Sequence, residues 1–149
     1  MSDGKIPGGW HTDLGLLLLR LVLGVVFIYH GSQKLFGWFE GSGMEGFTKA
    51  VEGLGMTMPS AGFNAYAAAL SEFGGGILLI LGLFVRVAGF FLAATMAVAV
   101  FVVHSGAFAV KSGGMEYALT LGVVSVALCL MGGGRLGVGP SLPGGFKRL

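Results

Sequence analysis

The chain has 149 residues, of which 54% are hydrophobic and 11% are charged, and its net charge is +2. A soluble domain carries about 25% charged residues, so the composition argues against a soluble enzyme. It also excludes a disordered chain, which would be rich in charge. The few basic residues are too scattered for a nucleic-acid-binding protein. The length predicts one domain, residues 1–149, and the hydrophobicity predicts an integral membrane protein.

Four apolar segments predict membrane-spanning helices, because a helix needs about 20 residues to cross the hydrocarbon core of a bilayer. The second and third segments are separated by a tight turn that we place at Arg86. The sequence therefore predicts an all-α fold, a four-helix transmembrane bundle. The predicted spans cover about residues 14–36, 62–85, 86–104 and 116–134.

The connection between the first two spans, residues 41–60, contains an amphipathic segment. Its charged residues fall on one side of a helical wheel and its apolar residues on the other. This pattern predicts a short interfacial helix in the first outer loop, lying on the membrane surface. The apolar residues recur at spacings of three and four: Met44, Phe47, Val51 and Leu54.

Basic residues near the ends of the spans predict the orientation, because cytoplasmic loops are enriched in Lys and Arg. Five basic residues fall on the side that holds both termini and three fall on the other side. We therefore predict cytoplasmic termini, with lipid around a multi-pass chain. The two sets are Lys5, Arg86, Arg135, Lys147 and Arg148 against Lys34, Lys49 and Lys111.

Ionisable side chains within the spans are the candidate site residues, because such groups are costly in a membrane and tend to pair inside the bundle. Chain direction brings all of them except Arg20 to the outer half of the predicted bundle. We predict that the outer five line one cavity and that Glu72, the only acid in mid-span, contacts Lys34 or Arg20. The candidates are Arg20, His30, Lys34, Glu72, His104 and Glu116.

Structural roles for the same residues stay open. Glu72 and its partner could form an ion pair that only fixes the register of two helices. His30 and His104 could be hydrogen-bonded interfacial histidines, and Glu116 could be a charge favoured by the dipole of its helix. The sequence has one cysteine, Cys129, and therefore no CxxC motif, so we expect no metal site built from cysteines. We expect no metal site elsewhere either.

The string RLVLGVVFIYHGSQKLFG, residues 20–37, resembles the opening signature of the DoxX family of bacterial integral membrane proteins. Four further segments match the family pattern, and together the resemblance covers about residues 14–140. It implies a four-helix protein of the bacterial cytoplasmic (inner) membrane. After Leu136 the family pattern continues with Ser and an acid, whereas this chain has GVG. The further segments are residues 72–86, 96–99, 114–119 and 133–136.

The resemblance also implies a redox association. Relatives in that family include the small quinone-linked subunit of an archaeal thiosulfate:quinone oxidoreductase and a mycobacterial membrane partner of superoxide dismutase and a sulfurtransferase. We therefore expect at most the membrane subunit of a quinone-linked oxidoreductase, with quinone or quinol as ligand and a protein partner or a second copy. A non-redox small-molecule carrier or a scaffold of a membrane complex is one alternative. A b-type haem protein with His30 and His104 as axial ligands is another.

Overall fold

The structure is a computed structural model that describes residues 9–139, and within that range every regular element is helical. Helix α4 continues directly into a π-helical turn, so the two form one rod. A short 3-10 turn, Val110–Ser112, lies in the loop before α5. The main elements are α1 Trp10–Phe36, α2 Gly43–Gly53, α3 Ala61–Leu81, α4 Val85–Val98, the π-helical turn Ala99–Val103 and α5 Glu116–Met131.

Three helical segments are long and apolar enough to cross a membrane: α1, α3, and α4 with its π-helical turn, Val85–Val103. Helix α5 is apolar but has only 16 residues, so it measures about 24 Å at 1.5 Å per residue. The hydrocarbon core is about 30 Å thick. The helix is also shorter than the predicted fourth span, 116–134. It ends at Met131 because Gly132, with φ 79°, terminates it.

The turn between α3 and α4 lies at residues 82–84, which corrects the prediction of a turn at Arg86. Gly82 takes a left-handed φ of 66°, and its N–H donates to the carbonyls of Leu78 and Leu79 at the end of α3. A left-handed glycine is the usual signal for a helix C-terminus. Arg86 instead lies in the first turn of α4.

Helices α1 and α3 touch backbone to backbone at glycines. A Cβ atom on Gly24 would lie 2.8 Å from the carbonyl oxygen of Gly76, and one on Gly31 would lie 2.5 Å from the backbone nitrogen of Phe73. Only glycine permits such an approach, which is the usual role of small residues between membrane helices. The close contact lets side chains of the two helices meet in the space beyond Gly31.

The chain after α5 folds back across the end where α1 begins. The carboxylate of Asp13 accepts hydrogen bonds from Arg135, at 2.6 Å from Nε and 2.9 Å from the backbone N–H. The backbone N–H of Gly139 donates to the carbonyl of Gly82. The start of α1, the α3–α4 turn and the segment 132–139 therefore meet at one end of the molecule.

Arg20 lies at this same end and is fully buried, with 1% of its surface exposed. Its Nη1 donates to the carbonyl of Gly133 at 2.7 Å, and its Nη2 donates to the carbonyl of Leu136. Its Nε has no hydrogen-bond partner in the described part of the chain. We refer to this region as the Arg20 end.

Helix α2 forms where the amphipathic pattern predicted a short helix. Val51 is buried, whereas Glu45 and Lys49 are exposed and form an ion pair of 2.7 Å. The helix packs against α3 and α1. The ring of Phe47 lies 5.0 Å from the ammonium of Lys34, so α2 sits beside the far end of α1.

Candidate functional site

A cavity of about 140 Å³ lies among α1, α3, the α4 rod and α5, at the opposite end from Arg20. Its polar lining includes His30, Lys34, Glu72 and His104. Four further residues make the wall apolar. An enclosed cavity of about 150 Å³ holds one benzene ring. This cavity has a similar volume but is partly open, so it fits one six-membered ring with its substituents. The apolar residues are Phe27, Met96, Ala99 and Ala118.

The cavity contains a buried ion pair between α1 and α3. The ammonium of Lys34 lies 2.5 Å from each carboxylate oxygen of Glu72. Glu72 is 2% exposed and the Lys34 side chain 25%. The prediction that Glu72 contacts a base on the first helix is confirmed, and the partner is Lys34. Lys34 also lies over the ring of Phe47, so its ammonium has two partners within the protein, the carboxylate of Glu72 and an aromatic face.

His30 has a defined tautomer when its ring is neutral. Its Nδ1 lies 3.2 Å from Oε1 of Gln33, and Nε2 of Gln33 donates to the carbonyl of Phe39. That second bond fixes which way the amide points. Because an amide oxygen only accepts, Nδ1 must carry the hydrogen, and Nε2 is left as the accepting nitrogen.

His104, which follows the α4 rod, has the same neutral tautomer as His30. It directly follows the π-helical turn, and π-bulges are frequent at functional sites. Its Nδ1 lies 2.9 Å from the carbonyl oxygen of Gly113, so Nδ1 is again the donor. No hydrogen bond of Nε2 occurs for either His30 or His104 in residues 9–139. The cavity therefore has two histidines that both offer an accepting nitrogen.

Glu116 does not line the cavity, which corrects the prediction that five residues do. Its carboxylate accepts a hydrogen bond of 2.6 Å from the backbone N–H of Val110 and so stabilises the loop before α5. The buried face of α5 contains Ala118, Leu121, Ser125 and Leu128. Glu116 lies about 200° around the helix from Ala118 and so points away from that face.

Two aromatic residues near the site were not among the sequence candidates. Tyr117 lines the cavity, and its ring lies 6.0 Å from the ring of His30. Its neighbour Ala118 begins the buried face of α5, and the spacing of three and four residues along that face could have identified this side of the helix. Phe47 contacts Lys34 from α2, and no pattern within α2 alone predicts that contact.

These features define a multi-pass membrane protein with a polar cavity between its helices. The family model described as DoxX matches residues 15–105, more than half of the chain, so the protein belongs to the DoxX family. The resemblance seen in the sequence is thereby confirmed. The matched range includes four polar lining residues, His30, Lys34, Glu72 and His104, whereas Tyr117 lies after it.

One relative is a protein of Bacillus subtilis (strain 168) named "Putative oxidoreductase CatD". The two chains are 33% identical over 135 residues, which is 91% of this chain and 92% of the relative. No solved structure is significantly similar to this chain. The family and the name of this relative suggest a membrane protein associated with redox chemistry.

Proposed function

We propose that this protein is a redox-associated subunit of the bacterial cytoplasmic membrane. It binds the head group of a quinone or quinol in the cavity and couples a partner oxidoreductase to the quinone pool. The observation that carries this proposal is the cavity itself, which fits one ring and combines apolar walls with four polar side chains. Membership of the DoxX family and the name of the Bacillus relative support the redox association.

The chemistry follows from the polar side chains. Interconversion of quinone and quinol moves two electrons and two protons, and the partner supplies or removes the electrons. His30 and His104 each offer an Nε2 that can exchange one proton with the ligand. The partly exposed Lys34–Glu72 pair lies beside them and connects the cavity with the surface.

The size of the cavity disfavours the haem alternative. A porphyrin contains four pyrrole rings, whereas about 140 Å³ holds one ring. Two histidines from different parts of the chain line the same cavity, as axial ligands would, but a cavity of about 140 Å³ favours the smaller quinone ligand. The carrier and scaffold alternatives are distinguished from the proposal by whether quinone is retained.

We further propose four membrane crossings with both termini in the cytoplasm. The start of α1 and the segment 132–139 meet at the Arg20 end, which fits an even number of crossings. The short helix α5 crosses with the help of its flanking residues, and α2 lies at the outer interface. Exposed aromatic side chains beside α2 suit that boundary: Phe36, Trp38 and Phe39.

The ligand proposal predicts that quinone co-purifies with the protein. Organic extraction of protein purified from quinone-containing membranes, followed by mass spectrometry, should detect near-stoichiometric quinone. His30→Ala removes a ligand contact and Glu72→Gln breaks the ion pair, so each should lower the retained amount about tenfold, as expected for a loss near 1.4 kcal/mol.

The matched control is His11→Ala, since His11 lies exposed at the start of α1, far from the cavity. It should retain quinone like the parent protein. Gel filtration establishes that each variant stays folded. If folded His30→Ala and Glu72→Gln retain as much quinone as the control, the cavity is not the quinone site and a carrier or scaffold role is favoured.

The topology proposal predicts the labelling of single cysteines. In a Cys129→Ala background, a membrane-impermeant maleimide added to intact cells should label Ser112→Cys and leave Gly4→Cys unlabelled until the membrane is opened. The reason is that position 112 lies in the loop beside the cavity end, whereas position 4 precedes α1. Labelling of Gly4→Cys in intact cells would show that the N-terminus lies outside the cytoplasm and would contradict the proposed orientation.

A further inference from the structure

We propose that the cavity selects the reduced form of its ligand, a hydroquinone, over the quinone. This inference rests on the proposed function and specifies which oxidation state binds. The two forms share one ring skeleton but differ in hydrogen bonding. A hydroquinone has two hydroxyl groups that donate, whereas a quinone has two carbonyl oxygens that only accept.

The cavity is rich in acceptors. The Nδ1 atoms of His30 and His104 donate to Gln33 and to the carbonyl of Gly113, so both Nε2 atoms can only accept while the rings are neutral. The carboxylate of Glu72 accepts from Lys34 and has further lone pairs. Two hydroxyl donors on opposite sides of one ring therefore find acceptors on α1 and after α4.

Donors are scarce by comparison. The ammonium of Lys34 would be the natural donor to a quinone carbonyl, but it contacts both oxygens of Glu72 and the face of the Phe47 ring. The hydroxyl of Tyr117 is the remaining side-chain donor among the described lining residues. One donor cannot satisfy two carbonyl oxygens, so at least one carbonyl oxygen of a bound quinone would lie against an acceptor atom of the cavity.

Such a mismatch is a strong basis for selection. A site built to bond a hydroxyl rejects an analogue that cannot make the bond, because its own buried polar groups are then left unpaired. We expect the hydroquinone to bind at least about tenfold more tightly than the quinone. A tenfold preference raises the midpoint potential of the bound two-electron couple by about 30 mV.

The test compares duroquinol and duroquinone, whose fully substituted ring cannot add to the thiol of Cys129. Equilibrium dialysis of the purified full-length protein in detergent, at pH 8 and without oxygen, gives a dissociation constant for each form. Duroquinol should bind at least about tenfold more tightly. His30→Gln and His104→Gln introduce an amide that can also donate, so each should bring the ratio towards one.

Two further variants sharpen the result. Tyr117→Phe removes the remaining hydroxyl donor and keeps the ring against His30, so it should widen the preference for duroquinol. His11→Gln makes the same chemical change at a histidine outside the cavity and should leave the ratio unaltered. An unchanged ratio in both His30→Gln and His104→Gln would contradict the role given to the two cavity histidines.

Failure of this inference is distinguishable from failure of the proposed function. If both forms bind, His30→Gln weakens them, and duroquinone binds as tightly as duroquinol, the cavity is the ligand site but the selection is wrong. If neither form binds, or if binding ignores substitutions at His30 and His104, the quinone function itself is overturned. Tighter binding of duroquinone in the parent protein also overturns the selection.

Discussion

Glu72→Met is expected to lower the free energy of unfolding by about 3 kcal/mol, because it leaves the ammonium of Lys34 without its counter-charge. Removing one partner of a buried ion pair typically costs about 3–5 kcal/mol. The lower end applies here, since Glu72 is 2% exposed but a quarter of the Lys34 side chain is accessible. Reversible unfolding in mixed detergent micelles, followed by circular dichroism, measures the change.

The double variant Lys34→Met/Glu72→Met tests the cause. When both charges are replaced by apolar groups of similar size, much of the lost stability should return, since such replacements are often neutral. The exposed pair Glu45–Lys49 offers a matched control, because both side chains are more than 70% exposed. Glu45→Met should change stability by less than about 0.5 kcal/mol. Equal effects of Glu45→Met and Glu72→Met would contradict a buried, structurally important pair.

The same pair limits how the quinone experiments are interpreted. A variant that breaks the pair changes both the stability of the helices and the electrostatics of the cavity, so loss of ligand alone does not assign Glu72 a role in binding. His30 and His104 form no ion pair in the described structure, and substituting them leaves the α1–α3 contact intact. The histidine variants are therefore the decisive ones for function.

The convergence of the cavity residues was predictable from the sequence for a simple physical reason. A membrane fixes the length and direction of each helix, so the depth of a residue follows from its distance to the helix end. His30, Lys34, Glu72 and His104 were expected in the same half of the bundle, and the structure brings them around one cavity. The Lys34–Glu72 contact followed because an ionisable group in a membrane needs a partner.

Glu116 shows where this reasoning stops. It begins the helix whose first turn borders the cavity, but position along a helix does not determine which way a side chain points. The face of α5 that contains Ala118 is buried, and the carboxylate of Glu116 accepts a hydrogen bond from the backbone N–H of Val110. A loop that folds back on its own helix leaves no periodic signal, so the contact could not be predicted from spacing.

The glycines at and near the end of α3 have different structural roles, which their positions in the sequence do not distinguish. Gly76 touches the backbone of α1, Gly75 lies against Leu92, and a Cβ atom on Gly82 would collide with the guanidinium of Arg20. Gly74 has open space around it. Gly82 ends α3 in a left-handed conformation. A sequence shows that a glycine is present, but not whether the missing side chain or the unusual φ angle is being used.

The partners of Arg20 could not be predicted from the sequence because they are backbone carbonyls, which every residue has. Arg20 was expected in the inner half, and Glu72 was one predicted partner. It bonds instead to the carbonyls of Gly133 and Leu136. The family pattern has Ser and an acid after Leu136, whereas in this chain the N–H of Gly139 bonds to the carbonyl of Gly82. Backbone hydrogen bonds thus hold this segment without those side chains.

Arg20→Met is expected to destabilise the protein by about 4 kcal/mol. The change removes the donor for the partly buried carbonyl oxygens of Gly133 and Leu136, and a buried group left without a partner costs about 1–3 kcal/mol. It also leaves space where the guanidinium packs against the glycines of the α3–α4 turn and of the segment 132–139. The same unfolding measurement in mixed micelles reports the loss.

A second measurement locates the damage. Because Arg20 holds the segment 132–139 against the α3–α4 turn, this segment should detach before the helices unfold. Trypsin should then cleave after Arg135 much faster in the Arg20→Met variant than in the parent protein. Arg20→Lys keeps the charge but has one donor group in place of a fork, so we expect intermediate stability and intermediate cleavage.

Arg86 is the matched control, because it also donates to carbonyls at the C-terminus of α5, those of Cys129, Leu130 and Met131. Arg86 is exposed, so water can replace its bonds, and Arg86→Met should cost about 1 kcal/mol or less. The two arginines bind the same kind of group and differ mainly in burial. If Arg20→Met destabilises no more than Arg86→Met, and cleavage after Arg135 is unchanged, Arg20 does not hold the segment. A large difference would assign the stability of the Arg20 end to one buried guanidinium.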